Sequence, residues 1–166
     1  VRIMGIDPGI AIVGFAILDQ QGNVLKPIEY GSIQTESKLS TATRLKQIYD
    51  ALTHLFKEFQ PDVMAIEKLF FNRNVTTAFT VGQARGVIML AAEEAGVEIS
   101  EYTPLQVKMA VVGYGQAEKR QVQEMVKALL ALPRIPKPDD VADALAIAIC
   151  EAHSSQAIRG LRGGER

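Results

Sequence analysis

RIMGIDPGIAIVGFAILDQQGNVLKPIEYGSIQ, residues 2–34, decides the fold. Its apolar, β-branched stretches at 2–7, 12–19 and 24–34 read as three strands. Gly5, Pro8–Gly9 and Gln21–Gly22 punctuate them, and QQGN at 20–23 reads as a hairpin turn. The period then changes. Leu45, Ile48, Leu52, Leu55, Phe56 and Phe59 recur at three- and four-residue spacing, with Lys46, Asp50, Lys57 and Glu58 between them. That pattern predicts an amphipathic helix covering one sheet face and stopped before Pro61. Residues 62–67 read as a short strand, 76–95 as a long helix ended by Gly96, and 97–102 as another strand. A short helix is expected after Pro104, and a further one over 117–130. The proline-rich LPRIPKP at 132–138 is a spacer, and Asp139 or Asp140 caps a last helix that reaches about His153. Three antiparallel strands followed by alternating helices and parallel strands predict a mixed α/β sheet with helices on both faces. A single domain is expected over 1–153, with a flexible tail over 154–166.

The chain has 166 residues, 48% of them hydrophobic, enough for one sizeable core. No apolar run approaches the roughly 20 residues that span a bilayer, so no membrane association is expected. No secretory leader is legible, and the single cysteine, Cys150, lies in an apolar helical stretch where it packs as a small hydrophobe. A cytoplasmic location fits these features. The net charge of −1 is not the footprint of a nucleic-acid coat protein, so any DNA-binding charge has to be concentrated locally. The segment 102–120, with Lys108, Lys119 and Arg120 against Glu118, carries a modest excess of that kind.

Acidic residues at three distant points are the chemical signal. Asp7 ends the apolar run RIMGID, Glu67 ends VMAIE, and Asp140 and Asp143 open DDVADALAIAIC. A carboxylate at the edge of a buried element is costly unless paired. No Lys or Arg adjoins Asp7, and only Lys68 adjoins Glu67. A hard divalent cation, Mg²⁺ or Mn²⁺, is the economical partner for carboxylate oxygens. Asp140 and Asp143 stand three apart and share a face in the first turn of a helix, whose N-terminus favours their charge. Taken singly, Asp140 reads equally as a helix cap and Asp143 as a dipole complement. Together the four acids would hold two cations about 3.5–4 Å apart, one activating water and one stabilising a leaving oxygen.

The motifs GIDPG (5–9), AIEKLFFNRN (65–74), GQARG (82–86), QVKMAVVGYGQAEKRQV (106–122) and DDVADALAIAI (139–149) resemble those of the RuvC-type crossover junction endodeoxyribonucleases, the bacterial Holliday junction resolvases. The resemblance spans nearly the whole chain, in order. It implies a ribonuclease H-like fold and a homodimer acting on four-way junction DNA, and a two-fold dimer suits a substrate cut symmetrically. It implies the catalytic and metal-binding roles of Asp7, Glu67, Asp140 and Asp143, with two Mg²⁺ per site and Mn²⁺ as a substitute. Asp139 is then a cap or a support for its neighbours. Lys108 and Lys119 take the family's basic positions near the scissile strand. A branch-migration motor of the same pathway is an implied partner.

The family's aromatic wedge maps to Phe70, and Phe71 is an extra ring; one of the two is expected to stack on a base and the other to anchor the loop. Arg73, Asn74 and Arg120 are further candidate DNA contacts, as is Arg85, which faces DNA or pairs with an acid. Gly82 and Gly86 give a small-residue face suited to core packing or to a dimer interface. His54 and His153 are expected at the surface, with no partner at metal-ligand spacing. Two other readings are weaker. A non-catalytic junction- or RNA-binding relative would lack one of the four acids. An actin-like ATPase, suggested by GIDPG, needs two domains and a longer chain.

Overall fold

The computed structural model describes the backbone of residues 1–68 and 75–163, and side chains up to residue 156. Five strands, β1 (Arg2–Asp7), β2 (Ile12–Gln21), β3 (Val24–Gln34), β4 (Val63–Glu67) and β5 (Glu98–Tyr102), form one sheet in the order β3-β2-β1-β4-β5. The first three pair antiparallel, and β4 and β5 join parallel to β1 and to each other. The helices are α1 (Thr41–Phe59), α2 (Val75–Glu94), α3 (Pro104–Val112), α4 (Lys119–Leu129) and α5 (Asp139–Gly163). This is the mixed α/β arrangement expected from the sequence.

Local chemistry explains the elements. Gly22 opens the β2–β3 hairpin at φ 58°, a backbone that glycine adopts without strain. Pro27, which has no N–H to donate, lies on edge strand β3 beside a bulge, where the register steps from Ile17↔Glu29 to Leu18↔Pro27. Ser40 caps α1 by accepting from the Thr43 amide. Thr103 and Gln106 form a reciprocal capping box at the start of α3, with Pro104 in its first turn.

Alternation along the strands builds two cores. Met4, Ile6, Val13, Ile17, Met64 and Ile66 face α1 and α2, packing with Ile48, Leu52, Phe56, Ala84 and Ile88. Ile3, Ala16, Leu18, Val63 and Ala65 face the other way, against Val107, Val126, Leu145 and Ile149 of α3, α4 and α5. From Val141 to Ala152 the last helix is buried at every position but Asp143, as expected of a helix covered on all sides.

Three expectations need correction. Gly5 does not break β1; it lies inside the strand because α5 crosses there, and an added Cβ would sit 2.1 Å from the Ala144 carbonyl oxygen. The last helix begins at Asp139 and continues past His153 to Gly163, so Asp139 and Asp140 stand inside its first turn rather than capping it. Small Ala, Ser and Gln residues after His153 carry no signal that stops a helix. Finally, α2 is long and apolar enough to cross a membrane by length and composition, because alanines and glycines extend its apolar character. Its Ala84, Ile88, Ala91 and Ala92 are nonetheless packed in the core beside α1, as in the core helix of a globular domain.

Gly5→Ala is therefore expected to destabilise the fold by about 1–3 kcal/mol, the usual cost of overpacking. Urea unfolding of the variant against wild type measures it.

Candidate active site

Strand parity places the first two acids. Side chains alternate across a strand, so Asp7 shares its face with Ile3 and Gly5, and Glu67 shares its face with Val63 and Ala65. Both therefore project toward α5. The parallel register that pairs Gly5 with Ala65 and Ile6 with Ile66 brings Asp7 and Glu67 to the same edge of the sheet. On the other side of β1, Asp7 pairs with Gly14. A Cβ on Gly14 would lie 2.0 Å from the backbone oxygen of Asp140, so the absence of a side chain there admits the first turn of α5. Asp140 and Asp143 are thereby carried to Asp7. The four acids gather at one place, as expected.

Their mutual electrostatics report that proximity. Burial, then the charges of Asp143, Glu67 and Asp140, push the Asp7 carboxyl up to about 8. Asp7 and Asp143 are close enough to act on each other directly, and burial raises both carboxyls. Burial and the Asp143 charge raise Glu67, opposed by Lys108. Burial raises Asp143 as well, against the pull of Lys119. Desolvation is the first cause in each case, so the cluster is held away from water with too little positive charge to balance it.

The two lysines line a cleft of about 260 Å³ with Glu67 and Asp143, floored by Val107, Val122, Ala146 and Ile147. Lys119 opens α4 and reaches Asp139 at 3.2 Å and Asp143 at 3.8 Å. Desolvation opposes its charge, but Asp143, Asp139 and Asp140 outweigh it and raise its pKa, so it stays an ammonium. Asp139 also takes Lys137 at 3.4 Å and accepts from Gln123 Nε2 at 3.3 Å. It thus tethers Lys119, the supporting one of the two roles expected of it. The larger cleft, about 460 Å³ between the C-terminal ends of α1 and α2, includes none of these residues.

The donor set fits a hard cation. All four acids offer oxygen, burial raises Asp7, Glu67 and Asp143, and among the described residues no side-chain cation pairs with Asp7. Among the described residues, no three His, Cys, Asp or Glu side chains are grouped closely enough to hold a metal ion as they stand.

Other candidates fare differently. Phe70, Phe71, Arg73 and Asn74 lie outside the described residues. Arg120 is exposed and pairs with Glu124 at 3.1 Å along its own helix. Arg85 is turned inward: it pairs with Glu101 and donates to the Glu67 carbonyl oxygen at 3.3 Å. An acid, one of its two expected partners, is Glu101. His54 is at the surface beside Glu58, but His153 is half-buried with Nδ1 2.9 Å from the Ala110 carbonyl oxygen. Glu101 and the tether at Asp139 were not legible, since no local spacing marks a pairing between α2 and β5 or between α4 and α5.

Comparison with known proteins follows this geometry. A family model described as crossover junction endodeoxyribonuclease RuvC matches residues 3–151. The chain is 66% identical over 151 residues to the crossover junction endodeoxyribonuclease RuvC of Brevibacillus brevis, covering 91% of each. It superposes on the structure of Thermus thermophilus RuvC with a TM-score of 0.88 at 34% identity, covering 95% of this chain and 96% of that one. The same protein in complex with a Holliday junction substrate gives 0.89, covering 94% and 95%.

A pH dependence follows from Asp7. Its carboxyl titrates near 3.8 when unfolded and near 8 when folded, so the stability its protonated form contributes is full below about 4 and lost as pH rises through about 8. Asp7→Asn cannot ionise and escapes this loss. Without divalent metal, its melting temperature is expected to exceed wild type by several degrees at pH 8.5 and to match it near pH 4.

Proposed function

Because the chain belongs to the RuvC family of crossover junction endodeoxyribonucleases, we propose that it resolves four-way Holliday junction DNA by symmetric paired nicks, in recombination and repair. The observation that carries this reading is the convergence of Asp7, Glu67, Asp140 and Asp143 with Lys108 and Lys119 at one sheet edge. Buried carboxylates beside lysines that can face a phosphate suit phosphodiester chemistry.

Asp7, Glu67, Asp140 and Asp143 hold Mg²⁺ in this reading, two ions per site, with Mn²⁺ as a substitute. Bound there, the ions supply a nucleophilic water at neutral pH and neutralise the charge of the leaving 3′ oxygen. Asp7, at the end of the central strand and facing the charges of the other three acids, would be the most central of the residues holding the metal. Lys119 is kept protonated by its acidic neighbours and offers that charge to the phosphoryl oxygens when the scissile strand displaces Asp139. Lys108 stands beside Glu67 and serves the same strand from the opposite wall of the cleft. The products are 5′-phosphate and 3′-hydroxyl ends.

Paired nicks call for two sites, and α2 supplies a surface for a second copy. Val75, Phe79, Gly86 and Leu90 fall on one stripe of this helix, the three apolar side chains being 76%, 66% and 53% exposed. Gly86 at its centre leaves open space above the backbone, which allows a close two-fold helix contact. The partners of this reading are junction DNA, a second copy of the chain and a branch-migration motor.

Two experiments test it. Wild-type protein with Mg²⁺ is expected to nick a synthetic immobile four-way junction symmetrically and to spare linear duplex. Asp7→Asn is expected to lose cleavage by at least about 10³-fold, the several-kcal/mol scale of metal-ion catalysis, while retaining junction affinity. Leu90→Glu is expected to sediment as a monomer and to lose coordinated cutting of the two strands. Wild-type protein that leaves the junction intact with both Mg²⁺ and Mn²⁺ refutes the reading.

A further inference from the structure

We propose that Arg85 is a positioning residue that fixes catalytic Glu67 from behind, and that it does not contact DNA; this rests on the function proposed above. Its guanidinium is only 15% exposed. Nε donates to the backbone oxygen of Glu67 at 3.3 Å, Nη2 pairs with Glu101, and Nη1 lies 3.4 Å from the Met89 sulfur. A phosphate would have to compete with Glu101, the Glu67 carbonyl oxygen and the Met89 sulfur for a side chain that is itself largely buried.

The position of Glu67 explains why a clamp is needed. Pairing of β4 with β1 stops at Ile66, so the Glu67 peptide has a ladder partner only on the β5 side, at Tyr102. Arg85 supplies the missing partner from α2. Glu101, which is paired in register with Ile66, anchors the other end of the fork. One residue further on, the Lys68 amide donates to the Tyr102 carbonyl at 2.8 Å, and the Tyr102 hydroxyl donates to buried Glu151 of α5. The backbone under Glu67 is thus held from α2, β5 and α5 together. A planar fork can serve a carbonyl and a carboxylate at once, which a lysine ammonium on a single stem does poorly.

The test compares wild type with Arg85→Ala, Arg85→Lys and Glu101→Gln. Single-turnover nicking of a four-way junction is expected to slow about 10–100-fold in both Arg85 variants, the usual effect of losing a group that orients a ligand. The Mg²⁺ concentration for half-maximal rate rises, and the thermal stabilisation that Mg²⁺ gives in the absence of DNA shrinks. Junction affinity without divalent metal, and its salt dependence, stay at wild-type values. Weaker binding with a salt slope shallower by about 1 identifies a phosphate contact and overturns the proposal. Glu101→Gln separates the two roles on its own. It frees the Arg85 charge, so a DNA contact predicts tighter binding, whereas a clamp predicts slower nicking with unchanged binding. If Arg85→Ala does not fold by circular dichroism, Glu101→Gln decides. Wild-type nicking with all variants unchanged overturns the Arg85 role alone; absence of wild-type nicking overturns the proposed function with it.

Discussion

The close seat of α5 on the sheet is the constraint on which the rest of the molecule depends. Gly5 of β1 and Gly14 of β2 lie on neighbouring strands, under Ala144 and Asp140, one helical turn apart. Neither position has room for a methyl group, so the helix approaches the sheet backbone directly. Alanines at 142, 144, 146, 148 and 152 keep α5 narrow enough to stay there. That approach delivers Asp140 and Asp143 to the end of the central strand. It also sets α3 and α4, whose Val107, Val111 and Val126 share the α5 core, and with them the lysines at 108 and 119. A displacement of α5 by an ångström would move both walls of the cleft while leaving the hydrophobic pattern of the chain intact.

The same geometry concentrates charge where the fold gains nothing from it. Desolvation and mutual repulsion act together on Asp7, Glu67 and Asp143, and the helix N-terminus compensates only in part. The chain tolerates this because the strain is confined to one rim, with two continuous apolar cores beneath it. Local departures from good packing chemistry are expected at a working site and are offset elsewhere. Lys119 illustrates the compromise. It balances Asp139 and Asp143 in the free protein, yet it remains more than half exposed and so accessible to an incoming phosphate.

Much of this was legible before any coordinates. Strand alternation in 2–34 and the three-to-four spacing of 45–59 specify a mixed sheet with covered faces, because burial on both sides imposes those periods. The four acids were legible as a set because charge at the end of an apolar run has few inexpensive explanations. Gly5 was misread, since a glycine in a strand signals either a break or a close approach, and only the crossing helix distinguishes them. The end of α5 was placed about ten residues early because Ser, Gln and Ala near His153 resemble a fraying tail while remaining compatible with a helix. The direction of Arg85 was open for a similar reason. An arginine on an apolar helix serves an outside anion or an inside acid, and Glu101 is distant in sequence.

Helix α2 joins the two halves of the functional argument. Its outer stripe, Val75, Phe79, Gly86 and Leu90, is apolar and uncovered, whereas its inner face enters the core through Ala84, Ile88, Ala91 and Ala92. Arg85 sits on the flank between them and holds the end of β4. A second copy packed on the outer stripe would bury apolar surface and fix the helix against rotation. Any rotation of α2 moves the Arg85 fork, and the fork is bonded to the peptide of Glu67. In the function proposed above, the candidate two-fold surface and the clamp on the Glu67 peptide are therefore carried by one helix, so a second copy packed on α2 would also steady the end of β4.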